Sequence, residues 1–200
     1  GRTVAPRQDG DAPIFTDPVV QGDPVCDALG CRKGAPFSIE DAAAIANPRF
    51  GEGEEFQNNC QRCVQAYELA RRGYDVEARP IPQTGFNPIK YGNEMFVGRH
   101  GIPPSFDLGL TSSEVESRIA AAPVGARFSI GITWADSRFR HVYVAERTPG
   151  GVRYIDPQSG NTNVQNYFRL GVEGEYQLLR TDNLEINKDA LQLGAIAKRG

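Results

Sequence analysis

The stretch NNCQRCVQAYELARRGYDVEA, residues 58–78, decides the architecture. Asn59 is a residue type that starts helices. After it, Cys60, Cys63, Val64, Tyr67, Ala70 and Tyr74 recur at the spacing of one helical face. Arg71 and Arg72 suit the negative end of a helix, and Gly73 suits a left-handed exit. Residues 75–80 then alternate and predict a strand.

A cysteine at a helix start has chemical consequences. The first turn presents free backbone N–H groups and partial positive charge, and both favour thiolate, the nucleophilic form. Cys60 is the first residue inside this helix. Cys63 lies almost a turn further on, where the effect is weaker and burial competes. Three other readings of the cysteines stand beside this one. Both can be small core residues. C-x-x-C at a helix start can be a redox pair, although the preceding residues 51–59 are polar rather than a buried strand. Cys26 and Cys31 with Cys60 and Cys63 can make a zinc site, although the first pair has unusual spacing and sits in a Pro-rich segment.

Outward from this helix, residues 1–36 are rich in Pro, Gly and Asp, and read as an extended arm or linker in which Cys26 and Cys31 pinch a small loop. Residues 37–200 read as the folded domain. Ser38 caps a short helix that Pro48 ends near Asn47. Residues 81–110 read as an irregular excursion that includes His100, whose expected place is the surface. Thr111 opens a helix ending near Ala122. Residues 126–134, 141–146 and 152–155 predict three antiparallel strands, with turns at residues 135–138 and 149–151. Residues 175–180 predict a further strand, and residues 191–198 a terminal helix.

His141 begins the second of those strands and Asp156 ends the third. A tight turn places them side by side, so Asp156 reaches the imidazole. With Cys60 they supply nucleophile, base and orienting acid. The other reading of each is plain: a surface or core histidine, and an ordinary Asp-Pro-Gln-Ser-Gly turn. The chain has only two histidines, so a Cys–His mechanism has few candidates.

Composition narrows the class. The 200 residues carry 22 Lys+Arg against 25 Asp+Glu, a net charge of −3, which argues against a nucleic-acid partner. A hydrophobic content of 40% permits a real core. No run approaches the roughly 18 apolar residues of a membrane span. No secretory leader is visible in the first residues.

The block at 58–78, HVYVAE at 141–146, YIDPQSG at 154–160 and the later Arg180-Thr181-Asp182-Asn183-Leu184 resemble the papain-fold toxin family. The resemblance spans about residues 38–187. Members include protein-glutamine deamidases used as bacterial effectors and toxin tips, and similar domains occur in phage head-associated proteins. The resemblance implies an α+β, papain-like fold in which a nucleophile-bearing helix packs on an antiparallel sheet. It makes Cys60 the nucleophile, His141 the base and Asp156 the acid. An alignment through Gln57, which precedes Cys63 by 6 residues as a glutamine does the papain nucleophile, would select Cys63 instead and make Gln57 an oxyanion donor. Gln158 and Asn59 are the expected substrate-binding residues.

The implied activity is a thiol-dependent protein-glutamine deamidase acting through a thioester, with no metal or organic cofactor. The same triad serves a protease or a transglutaminase, and the fold also serves as a non-catalytic phage or toxin-associated binding domain. The implied partners are a protein substrate carrying a reactive glutamine and an immunity protein. The implied location is outside the producing cell or in the cytosol of a target.

Overall fold

The structure is a computed structural model that describes residues 22–85 and 92–200. The chain begins with α1 (Pro24–Leu29), α2 (Ile39–Ala46) and α3 (Cys60–Arg71), followed by β1 (Val76–Ala78). Next come β2 (Phe96–Val97), β3 (Asp107–Leu110) and α4 (Ser112–Ala120). Strands β4 (Arg127–Thr133), β5 (Arg140–Thr148), β6 (Gly151–Ile155) and β7 (Tyr176–Arg180) follow. The chain ends with β8 (Glu185–Ile186), α5 (Lys188–Leu191) and β9 (Ile196–Lys198).

Five strands form one antiparallel sheet in the order β3-β7-β4-β5-β6. The expected three-strand meander is its β4-β5-β6 half, and the strand expected at residues 175–180 pairs beside β4. Both faces are covered. On one, Val144 and Ile155 join a core with Cys63, Ala66, Tyr67 and Ala70 of α3. On the other, Tyr143 and Ala145 join Val115 and Ile119 of α4.

Local sequence explains the helices read correctly. Ser38 accepts the Asp41 N–H at the start of α2. Thr111 and Glu114 form a reciprocal capping box on α4. Gly73 has φ 103°, and a Cβ there would stand 2.1 Å from the Gly34 carbonyl oxygen, so glycine is required where α3 turns out.

Four expectations change. Part of the segment read as an arm is helical: α1 places Val25 and Cys26 in the core, and Asp23 caps it. Residues 1–21 of that arm lie outside the described residues. The terminal segment read as one helix is the short α5 followed by β9, which pairs with β1. The irregular excursion, whose residues 86–91 lie outside the described residues, contains β2 and the sheet-edge strand β3, a short Asp-Leu-Gly-Leu run with little periodicity. Finally, α3 is buried on all sides rather than along one stripe, with Arg62, Gln65 and Glu68 inside.

Those buried charges lock α3 to the sheet. Arg71 forms a bidentate pair with Glu146 of β5 at 2.8 Å through both contacts, and Tyr67 also hydrogen-bonds Glu146. Glu68 pairs with Arg127 of β4 at 2.7 Å. A buried ion pair contributes less to stability than to uniqueness, since other registers would strand a charge. Here it fixes the height of α3 on the sheet, and so where Cys60 meets the start of β5.

Candidate active site

The N-terminus of α3, the first residues of β5 and the loop after β6 converge at one end of the sheet. His141 is the second residue of β5. Asp156 follows β6, whose Ile155 is in register with Val144. The His141 Nε2 and Asp156 Oδ2 atoms are 2.9 Å apart. Cys60 lines the cleft beside the same imidazole, and its side chain contributes to raising the imidazole pKa. With Nε2 engaged by Asp156, Nδ1 is the nitrogen left for the thiol.

Asp156 is itself held from several directions. Its Oδ2 accepts the Tyr167 hydroxyl at 2.7 Å, and its Oδ1 accepts the Gln158 N–H at 3.0 Å. Burial works to raise its pKa, but the bond and charge of His141, the Tyr167 hydroxyl and the Gln158 N–H together hold it below 3.8. For His141 the balance runs the other way. Burial alone would lower its pKa, yet the Asp156 and Cys60 side chains push it up to about 10. The pair is therefore built to keep imidazolium beside carboxylate.

Aromatic rings restrict the imidazole. Trp134 stacks on it at 5.6 Å between centroids with planes 23° apart, and Tyr167 meets it edge-on at 6.1 Å. Tyr167 also packs edge-on against Trp134 at 4.9 Å. This wall limits rotation of His141.

The two candidate cysteines separate clearly. Cys60 is partly exposed and lines the cleft with His141. Cys63 is fully enclosed in the core, where burial drives its thiol pKa well above 9.0. Gln57 is exposed and lines the cleft beside Cys60.

Asn59 departs from expectation. It precedes α3 with φ −100° and ψ 24°, and its side chain makes no cap bond. It is fully buried, and its Nδ2 donates to Asn47 Oδ1 at 3.0 Å and to the Arg79 carbonyl at 3.3 Å. It therefore stands behind the cleft rather than at a substrate. Gln158 is largely committed as well. Its Nε2 reaches Asn59 Oδ1 at 3.4 Å, and its carbonyl accepts from Asn47 at 2.8 Å, although it borders the cleft. Asn47 also donates to the Phe56 carbonyl at 2.8 Å. One buried amide thus joins the segment before Cys60 to the loop carrying Asp156.

Sequence reading missed Asn47, Trp134 and Tyr167. The single tryptophan, close before His141, was the one available signal. The partners of Asn47 lie far away in the chain, and Tyr167 sits in an irregular turn. His100 is exposed, as expected, with φ 59°. Cys26 and Cys31 are buried with their Sγ atoms 3.7 Å apart. Among the described residues no group of three or more His, Cys, Asp or Glu is placed to hold a metal ion, and no helix is long and apolar enough to cross a membrane.

The cleft extends to both sides of Cys60 and His141, about 410 Å³ on each. One lobe reaches Leu108 and Phe106 near the β3 edge, and the other reaches Phe50 and Phe139. A chain can therefore lie across the pair with one side group directed at the thiol.

No curated relative matches the chain. The family model described as papain fold toxin 1, glutamine deamidase, matches residues 58–161, a span that begins just before Cys60 and ends just after the Asp156 loop. That match covers half of the sequence and the elements that build the cleft, and the chain belongs to the papain fold toxin 1, glutamine deamidase family.

Proposed function

We propose that this chain hydrolyses the side-chain carboxamide of a protein glutamine, with Cys60 as nucleophile, His141 as acid and base, and Asp156 as the group that orients and stabilises the imidazolium. The observation carrying this is a single imidazole bonded to a buried carboxylate and sharing the cleft lining with a partly exposed thiol.

The Cys60 sulfur attacks the amide carbon, and the carbonyl oxygen takes the negative charge. The backbone N–H groups of Cys60 and Gln61 have no intrahelical acceptor and no other acceptor among the described residues, so they are the donors available to that oxygen. His141 gives its proton to the leaving nitrogen, the C–N bond breaks, and ammonia departs. The thioester left on Cys60 is attacked by water, whose proton His141 takes. The sulfur then leaves, and glutamate forms. Overall, glutamine and water give glutamate and ammonia. Membership of a toxin family supports an effector released or delivered to a target cell.

Intact mass spectrometry of candidate target proteins tests the reading. Deamidation adds about one dalton per site and releases one ammonia, and Cys60→Ala abolishes both. Fragments would instead indicate proteolysis, and a mass increase by an amine would indicate transglutamination. Asp156→Asn should lower turnover by about four orders of magnitude, since the amide holds the ring but does not stabilise its charge.

A further inference from the structure

We propose that Arg140 recognises a carboxylate carried by the substrate next to the reacting glutamine, so that the site selects glutamine in an acidic setting. This rests on the glutamine-hydrolysing reading above and adds the substrate class.

Arg140 immediately precedes His141 and lines both lobes of the cleft. Its side chain is exposed, and its guanidinium is held against β4 by one contact. Nη1 donates to the hydroxyl of the buried Thr133 at 2.8 Å. Nη2 lies 3.5 Å from the position a Cβ would occupy on Gly131, so the guanidinium rests against the β4 backbone there. The group is tethered by one N–H, and its other donors remain for a ligand.

Arg140 is the one Arg or Lys among the described residues lining the cleft, and like Arg79, Arg99, Arg147 and Arg169 it forms no ion pair with a described carboxylate. Arg71, Arg127, Arg138, Arg153 and Arg180 each pair with a carboxylate, whereas no carboxylate of the described residues lies within ion-pair distance of Arg140. Among the described residues the one carboxylate lining the cleft is Asp156, which is engaged by His141 and Tyr167. The other lining groups, apart from Cys60 and His141, are neutral. Asp156 balances the His141 imidazolium, so Arg140 is the cation of the described lining left to face a ligand. Such a pocket attracts an anion and is completed by one. The guanidinium fork suits a carboxylate in particular. The same field repels a lysine ammonium, which favours water over an amine as the acceptor of the acyl group.

Alkylation of Cys60 provides a test that needs no known target. The rates of Cys60 modification by iodoacetate, which carries a carboxylate, and by neutral iodoacetamide are measured by mass spectrometry in the wild type, Arg140→Gln and Arg140→Lys. The ratio of the two rates should fall about tenfold in Arg140→Gln, the size expected for losing a charge-assisted contact, and recover in part in Arg140→Lys. An unchanged ratio overturns the proposal. A Cys60 that reacts with iodoacetamide no faster than an ordinary thiol overturns the catalytic reading instead.

Glutamine peptides identify the source of the carboxylate. An amidated peptide with a neighbouring Glu, a neutral peptide with a free C-terminal carboxylate, a neutral amidated peptide and one with a neighbouring Lys are compared by ammonia release. KM should be lowest for one of the two acidic peptides and rise about tenfold for that peptide in Arg140→Gln. Equal KM across the set overturns the proposal.

Discussion

Replacing Tyr167 by Phe removes one hydroxyl and keeps the ring that packs on Trp134 and His141. The lost bond is the 2.7 Å contact to Asp156 Oδ2. A hydrogen bond to a charged group contributes about 1.5–3 kcal/mol. Tyr167 is only half-buried, so about 1.5 kcal/mol is expected, close to one pK unit on Asp156. Because the folded-state pKa of Asp156 is depressed, its stabilisation is present above the unfolded-state value and is lost as pH falls through the folded-state value, below 3.8. Tyr167→Phe raises that folded-state value. The variant should therefore melt about 3–6 °C lower than wild type at pH 7, and the difference should narrow as pH falls through the folded-state range. Thermal unfolding followed across pH for both proteins measures this. A deficit equally large at every pH would show that packing was lost rather than a charge-linked bond, and no deficit at all would refute the role given to the hydroxyl.

Cys60→Ala should abolish ammonia release while leaving the melting temperature nearly unchanged, whereas Cys63→Ala should retain activity and lose roughly 1 kcal/mol from a small core cavity; the reverse pattern in paired activity and melting assays would return the nucleophile to Cys63. Turnover needs protonated His141 to expel ammonia, so activity should fall as pH rises through about 10, and so should the part of the stability that comes from its raised pKa; a pH–rate profile already falling near pH 7 would contradict the pairing with Asp156. Cys26 and Cys31 should form a disulfide in oxidising buffer, which thiol counting would show as the loss of two thiols, and loop closure should add about 2 kcal/mol of stability. Burial raises both thiol pKa values, the Cys31 one to about 12, so the reaction should be slow until α1 opens. Glu68→Ala should cost about 3–5 kcal/mol in chemical unfolding, because it leaves the Arg127 charge against the sheet without its partner.

Short-range patterns were enough to single out the residues that the fold brings together at the candidate site. Helix α3, the meander of β4, β5 and β6, and the order Cys60, His141, Asp156 are legible in the sequence because each depends on residues within a turn or a hairpin: apolar spacing, capping residues, a Pro-Gly-Gly reversal. The resemblance to the papain-fold toxins then supplied roles that spacing alone left open. Long-range packing decided the rest. Both cysteines of α3 lie on the face expected to be apolar, and only the position of the helix on the sheet, set by Glu146 and Glu68 with their arginines, brings Cys60 to the cleft and encloses Cys63. Asn59 has the composition of a cap, but its amide is more useful to buried Asn47 and the Arg79 carbonyl than to the helix, and no local pattern reports that competition. Strand β3 and strand β9 are short, weakly patterned runs that become strands because β7 and β1 offer them unpaired edges. The neighbours of the proposed triad, Tyr167, Trp134, Asn47 and Arg140, reach it only by proximity in space, since a hydrogen bond or a shared wall between distant segments exists only once the chain has folded.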